Sequence, residues 1–471
     1  MKRPENLSRR NFIRLAGLGL AGLVMPRGAS AASTEGLFSI VPAHVLGGRG
    51  KLAPSDTMNI GCVGVGGMQG MNDVMSVATE NIYALCDVDE GYLNAAALKF
   101  PKAKLFRDFR QMLDQEHHNL DGITITIPDH MHATVALWAM ERGLAVYCQK
   151  PLAQTVWEVR QMAKSARKYQ VVTQMGNQGY SAEAMRVASE ILWRGDIGEV
   201  REVHGLNAGG FSRGVTQWPD PQPVPSTLDW DLWTGRAAEH PYHKSIAPIN
   251  WRGFLEYGTQ MVGDWGVHIF GAANFGLQLG APTSVECTFV EGANLVTYPS
   301  YCCKLEFPER PNPQVPSGKM PPVTVYWYEG SAASRFKLPD GITNEDFKGN
   351  NSLLIGSKGC IMTSGRSEGL SLWPNTLKGE GFKKPEKVIR RSPGHFKEWI
   401  QAVKGGPTPC SNFEVASTYA EWLLLATISW RFPNQKLLWD ATNMRFTNNE
   451  LANSFLRPTI RKGWEIKNIP D

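Results

Sequence analysis

Asp264 and His268 stand four residues apart, a spacing that sets two side chains on one face of a helix. A carboxylate beside an imidazole fixes its tautomer and stabilises its charged form. The pair therefore reads as a general acid/base, with His268 moving the proton and Asp264 orienting it. The same spacing also describes a structural surface pair, and the two residues alone leave both readings open. A second cluster is Gly64-Val65-Gly66-Gly67-Met68-Gln69-Gly70, between a short apolar run and a helical segment. Glycines there permit a tight turn and a close backbone approach to a pyrophosphate at a helix N-terminus. Asp87 ends the next apolar run, where a carboxylate accepts hydrogen bonds from a ribose diol and repels a 2′-phosphate, so NAD is favoured over NADP. Gly64, Gly66, Gly67, Met68 and Asp87 are thus cofactor-binding candidates. The fingerprint departs from its usual form at Gln69, where a third Gly or Ala is expected; Gly70 comes one place late.

These groups need elements to carry them. Ile60–Gly64, Ile82–Asp87, Lys104–Phe106, Gly122–Ile127, Ala145–Tyr147 and Val171–Met175 read as strands. Helical segments at 68–79, Glu90–Phe100 and Met131–Arg142 alternate with them, Asp108 can cap another helix, and Thr155-Val156-Trp157-Glu158 forms a capping box. Strand–helix alternation of this kind predicts a Rossmann-type, doubly wound parallel sheet over residues 58–178. After Gln178 the texture changes. Residues 181–194 look helical, 209–250 are rich in Pro, Gly and Trp without a period, and 283–307 and 323–328 look like antiparallel strands. Phe396–Val403 and Glu414–Trp430 look helical, and the last forty or so residues look irregular. The expected class is α/β: a nucleotide domain over 58–178 and a second α/β domain over 179–471.

The first residues stand apart. Ser8-Arg9-Arg10-Asn11-Phe12-Ile13-Arg14 is a twin-arginine pattern, followed by an apolar stretch from Leu15 to Met25 and a small-x-small site at Ala29-Ser30-Ala31. Residues 1–31 therefore read as a signal peptide for export of a folded protein to the periplasm, and 32–57 as a linker or arm. The segment 1–31 holds six basic residues against Glu5, which equals the net charge of +5 of the whole chain. The remainder is near neutral, which leaves no electrostatic argument for nucleic acid or an anionic membrane as partner. No apolar run reaches the ~18 residues of a membrane span. The eight cysteines show no zinc spacing and no disulfide framework, and no metal is expected.

At Cys148-Gln149-Lys150-Pro151 the chain resembles the Gfo/Idh/MocA family of oxidoreductases, which ends its fifth strand with Glu-Lys-Pro; here Gln149 replaces the Glu. Pro128-Asp129-His130-Met131-His132 matches the segment after the family's fourth strand, and Gly263-Asp264-Trp265-Gly266-Val267-His268 matches its Asp-x-x-x-His motif. The resemblance implies a second domain with a large, mostly antiparallel open sheet that commonly joins subunits into a homo-oligomer. It implies a substrate among sugars, cyclitols and their derivatives, held between that sheet and the nicotinamide. It places Lys150 beside the reacting hydroxyl as a third catalytic group, and Pro128, His132, Gln149 and Lys150 near the cofactor. Trp251, Arg252, Tyr257, Trp265 and Asn177, with its neighbour Gln178, are the substrate candidates: rings to stack on sugar faces and polar groups for hydroxyls. The expected activity is NAD-dependent oxidation of a secondary alcohol. The alternative is a redox-neutral glycosidase or epimerase that oxidises its sugar transiently, as in glycoside hydrolase family 109. One further departure is Gly271, three residues after the histidine, where many relatives carry Asp.

Overall fold

The computed structural model describes residues 56–377 and 382–466. Residues 1–31, read from the sequence as an export signal, and almost all of the arm read at 32–57 lie outside the described residues. Apolar β-branched runs form the first sheet: β1 (Asn59–Val63), β2 (Asn81–Cys86), β3 (Lys104–Phe106), β4 (Gly122–Ile125), β5 (Ala145–Cys148) and β6 (Thr173–Met175). All pairings are parallel, in the order β3-β2-β1-β4-β5-β6. Helices α1 (Gly70–Val77), α2 (Glu90–Lys99), α3 (Phe109–Glu116), α4 (Asp129–Glu141) and α5 (Val156–Tyr169) connect the strands. Every residue of β4 and β5 is buried, as expected of strands covered on both faces. The local signals act where the sequence places them: Asp108 accepts from the Arg110 amide, and Thr155 and Glu158 close a capping box on α5. The chain order reverses between β1 and β4. A cleft therefore opens outside their carboxyl ends, where parallel α/β sheets bind ligands.

The second sheet follows α6 (Glu183–Arg194). Its strands are β7 (Val200–Asn207), β8 (Ser284–Glu291), β9 (Ser300–Phe307), β12 (Val323–Glu329), β13 (Ser352–Gly356), β14 (Cys360–Thr363), β15 (Leu370–Trp373), β16 (Lys436–Asp440) and β17 (Arg445–Phe446); β10 (Arg310–Pro311) and β11 (Lys319–Met320) pair separately. The order is β15-β14-β13-β7-β12-β9-β8-β16-β17. Only β7 and β12 run parallel, so the sheet is mostly antiparallel. The helix Phe413–Ser429 covers it with Tyr419, Trp422 and Leu423, all buried.

The structure adds to the sequence reading and corrects it in the C-terminal stretch. The central strand β7 escapes a pattern search because Val200-Arg201-Glu202-Val203-His204-Gly205-Leu206-Asn207 does not alternate cleanly; its middle is buried and both ends carry polar residues. The C-terminal stretch is not wholly irregular, since Leu437 and Trp439 are buried in β16, which extends the sheet beside β8. The two domains do not separate cleanly at 178. The helix His395–Val403 returns to the first sheet and buries Trp399, and a Cβ on Gly122 would lie 2.9 Å from that indole. Within 209–250 the tryptophans build an aromatic cluster. Trp233, Trp251, Phe254 and Tyr257 are buried in it, with Trp218 and Trp230 packed alongside. Among the described residues no helix is long and apolar enough to cross a membrane.

Candidate functional site

The turn after β1 is built for close approach. Gly64 has φ +81°, and a Cβ there would lie 2.2 Å from the Thr126 carbonyl oxygen. A Cβ on Gly66 would strike the Tyr92 ring, whereas Gly67, at φ +63°, meets nothing within 4 Å. The third glycine of the fingerprint is Gly70: a Cβ on it would lie 2.6 Å from the Val65 carbonyl carbon. The tight helix–strand contact has moved one place, which frees Gln69 for another task. Asp87 Oδ2 accepts from the Val65 and Gly66 amides at 2.9 and 3.1 Å, and its Oδ1 from Asp89 N–H at 3.0 Å. Burial raises its pKa even against these three donors. The open backbone at Gly67 and the fixed carboxylate of Asp87 line one end of a cavity of about 640 Å³. They fit a dinucleotide's pyrophosphate and ribose.

Lys150 follows β5 and reaches across to the second domain. Its Nζ donates to Asp264 Oδ1 at 2.6 Å and to the Asp264 carbonyl oxygen at 3.0 Å. Arg252 Nε lies 3.5 Å from the same carboxylate oxygen, and its guanidinium lies over the Trp251 ring. Burial alone would raise the Asp264 pKa, but Lys150 and Arg252 outweigh it and hold the carboxyl below its usual range. The helical path expected to join Asp264 and His268 is present but irregular. One short helix ends at Asp264, another starts at Gly266, and Trp265 between them, at φ −112°, still bonds its amide to the Met261 carbonyl and accepts from the Ile269 amide. Asp264 holds Lys150 and makes no hydrogen bond to His268. His268 is buried, and its Nδ1 has no hydrogen-bond partner. Burial, then the Lys150 charge, pushes its pKa well below the usual imidazole value, so near neutral pH the ring is uncharged.

A buried network behind Lys150 accounts for two departures from the family pattern. Asp73 of α1, 0% exposed, accepts from Gln69 Nε2 at 2.9 Å, Thr126 Oγ1 at 2.8 Å and Gln149 Nε2 at 2.7 Å. Gln149 Oε1 in turn accepts from the Lys150 amide at 3.2 Å. Burial raises the Asp73 pKa while the three donors favour its charged form. An amide at 149 can donate to this carboxylate; a glutamate could not. At Gly271 a Cβ would lie 3.2 Å from Ser367 Oγ, which donates to the His268 carbonyl at 2.7 Å.

The cavity brings together Gly64, Gly66, Gly67, Met68 and Asp87 at one end, and Lys150, Asp264 and His268 at the other. Pro128, Gln149, Gln178, Trp251, Arg252 and Trp265 also line it. Three candidates do not. His132 is fully buried, with Nδ1 2.7 Å from the Pro151 carbonyl oxygen and Nε2 2.8 Å from that of Ile127; it ties two loops together, and burial pushes its pKa down to about 4. Asn177 is buried beneath the site and accepts from Ser411 Oγ at 2.7 Å. Tyr257 sits inside the aromatic cluster, its hydroxyl buried without a partner. Two lining residues were missed. Asp129 opens α4, accepts from Thr259 Oγ1 at 2.8 Å, and has its pKa raised to about 7 by burial and then by Asp264. Its signal was a carboxylate at a helix start directly after a parallel strand. Arg366 lies between β14 and β15, strands the periodicity does not resolve, so nothing in the sequence marked it.

A family model described as "Oxidoreductase family, NAD-binding Rossmann fold" matches residues 58–177, and one described as "Oxidoreductase family, C-terminal alpha/beta domain" matches 188–292. Among curated proteins, a "Glycosyl hydrolase family 109 protein" of Shewanella baltica is 28% identical over 216 residues, covering 43% of this chain and 45% of that protein. The chain thus spans about half the length of the curated relatives it matches. Among solved structures, the WlbA dehydrogenase of Bordetella pertussis, in complex with NADH and UDP-GlcNAcA, is 16% identical. It aligns with a TM-score of 0.56 over 82% of this chain and 99% of its own. An inositol dehydrogenase homolog of Azotobacter vinelandii, complexed with NADH and myo-inositol, is 14% identical, with a TM-score of 0.53 over 81% and 98%. At these identities the structural likeness speaks for the fold.

Proposed function

Since this chain belongs to the Gfo/Idh/MocA family of oxidoreductases and carries its NAD-binding Rossmann domain, we propose that it oxidises a secondary hydroxyl of a sugar, cyclitol or glycoside. The observation that carries this reading is the Lys150–Asp264 ion pair beside the unpartnered His268, in the same cavity as Asp87 and the glycine turn. Gly67 and Asp87 hold the dinucleotide by its pyrophosphate and ribose. When bound, NAD supplies the two-electron acceptor for the carbinol hydrogen. His268, uncharged, takes the hydroxyl proton, and the Lys150 ammonium stabilises negative charge that develops on that oxygen. Asp264, anchored by Lys150 and Arg252, fixes the lysine in place. Trp251 and Trp265 offer flat faces to an apolar ring surface.

The second reading is redox-neutral cleavage of a glycoside, and the similarity to a glycosyl hydrolase family 109 protein favours it. Oxidation of a ring hydroxyl acidifies the neighbouring C–H. Elimination then expels the aglycone as its alcohol, water adds across the resulting double bond, and return of the hydride to the carbonyl restores the hydroxyl. Export bears on the choice. If residues 1–31 direct the folded protein out of the cytoplasm, the cofactor is loaded beforehand and returned to its starting state in each cycle. A second sugar or ketone does this in the first reading, and the elimination sequence does it in the second. We further propose assembly into a homo-oligomer through the open sheet.

One experiment separates the two readings. The protein is purified without added cofactor, its nicotinamide absorbance is recorded, and candidate sugars and glycosides are added. A lasting rise in reduced nicotinamide that a keto-sugar reverses supports oxidation. Release of the aglycone with no net change supports the glycosidase. Failure to bind any nicotinamide nucleotide removes both.

A further inference from the structure

We propose that Arg366 forms an anion-recognising subsite, so that the carbohydrate this protein takes carries a carboxylate or a phosphate ester at the position facing it. The inference rests on the carbohydrate reading above and narrows it.

Arg366 lines the substrate end of the cavity, close enough to His268 for its charge to act on the imidazole. The other cations of the cavity are engaged. Lys150 and Arg252 share Asp264, and Arg107 donates to the carbonyls of Val88 and Thr227. Arg366 has no carboxylate or hydrogen-bond partner among the described residues, and the nearby carboxylate of Asp264 is already occupied. A guanidinium presents a planar fork that matches a carboxylate or phosphate with two parallel hydrogen bonds.

The backbone beneath this side chain is fixed. Ser367 is buried in a left-handed conformation, φ +55°, and its hydroxyl donates to the His268 carbonyl at 2.7 Å. A Cβ on Gly179 would lie 1.7 Å from the Arg366 carbonyl oxygen, so only glycine lets the loop come so close. A Cβ on Gly365 would lie 3.3 Å from the Trp265 indole. A non-glycine residue keeps positive φ where its surroundings over-determine it. Here the surroundings are His268 and Gly179, in the short 3-10 helix Gln178–Ser181 before α6, so the backbone at Arg366 and the proposed base are held by one scaffold. A cation on an anchored backbone loses less freedom on binding than one on a loose loop.

The test uses the full protein loaded with NADH and titrated calorimetrically with matched sugars: D-glucose, D-glucuronate and D-glucose 6-phosphate, and the same three in the galacto and manno series. At least one anionic member is expected to bind about tenfold or more tightly than its neutral parent. The arm that gains identifies carboxylate or phosphate as the group recognised. Arg366→Gln is expected to remove that preference while leaving NADH affinity within about twofold, and Arg366→Lys to restore part of it. Arg366 is exposed, so neither variant disturbs the core. Equal binding of neutral and anionic members, or a preference that survives Arg366→Gln, overturns the subsite and leaves the carbohydrate reading intact. Binding of none of the nine sugars overturns the subsite as stated, while the carbohydrate reading stands or falls by the nicotinamide assay above, which includes glycosides.

Discussion

The two ends of the cavity are built on opposite principles. At the nucleotide end the polar groups satisfy one another. Asp87 receives three backbone amides, Asp73 receives three side-chain donors, and Gln149 passes the constraint on to the Lys150 amide. At the substrate end groups stand open: the His268 Nδ1 has no partner, and Arg366 faces the cavity unpaired. Closed networks rigidify, while open groups hold recognition capacity at some cost in folding stability. Lys150 is the hinge of this comparison, because its backbone belongs to the first end and its ammonium to the second.

That position predicts the largest effect. Lys150→Ala is expected to lower kcat by about a thousandfold, within the range for loss of a group that moves or stabilises charge in the transition state. NAD affinity, measured by equilibrium binding, should change only a few-fold. A Lys150→Ala enzyme with full turnover would erase the distinction between the two ends.

The closed network has its own test. Gln149→Glu sets a second carboxylate against Asp73 in a site without solvent, and a buried uncompensated charge costs about 3–5 kcal/mol. A clear fall in stability by chemical denaturation is expected. In the double variant Asp73→Asn with Gln149→Glu, the amide and the carboxylate exchange places, and at least half of the loss should return. No recovery would mean that Gln149 is tied to its surroundings by something other than Asp73.

Asp129 tests the open end through pH. Its carboxyl is raised from 3.8 to about 7 in the folded protein, chiefly by burial. Below pH 3.8 the folded and unfolded chains both hold the proton, and stability is intact. As pH rises toward 7 the unfolded chain releases its proton first, and stability falls; above 7 the loss is complete. A shift of this size corresponds to on the order of 4 kcal/mol. Asp129→Asn should abolish most of this dependence, leaving the variant more stable than the parent at pH 8 and much less so at pH 4. A parent whose stability is flat between pH 4 and 8 would show that this carboxyl is solvated and belongs with the closed end.

The same contrast governs how much was legible in the sequence. The nucleotide end is local: each of its groups sits directly after a parallel strand, and strand–turn–helix spacing reports it. Asp87 and the glycines were found that way, Lys150 through the family motif it belongs to, and all line the cavity. Even there, the helix–strand contact fell to Gly70 rather than position 69, because the turn holds one more residue than the usual fingerprint. The substrate end is assembled from segments distant in the chain. The Asp264–His268 spacing suggested a pair on one helix face; the helical path is there, irregular at Trp265, but Asp264 bonds a lysine more than a hundred residues away. Arg366 enters from a loop whose flanking strands are short and weakly patterned. Tyr257 and Trp251 share one Trp-rich stretch, and no periodicity could tell which of them faces the cavity.

Tyr257 supplies the smallest effect and the finest test of that last point. Its ring is packed among Trp218, Trp233 and His130, and its hydroxyl is buried without a partner. A substrate-binding tyrosine would lose affinity on removal of its hydroxyl. A packing tyrosine loses nothing and sheds the desolvation cost of an unpaired group, which is about 1–3 kcal/mol when fully expressed. Tyr257→Phe is therefore expected to leave KM and kcat unchanged within twofold and to raise stability by up to about 1 kcal/mol. Trp251→Leu, six residues earlier in the chain and in the same cluster but lining the cavity, should raise KM. If Tyr257→Phe raises KM instead, the aromatic cluster belongs to the open end, and the boundary between the two ends lies deeper than the lining residues place it.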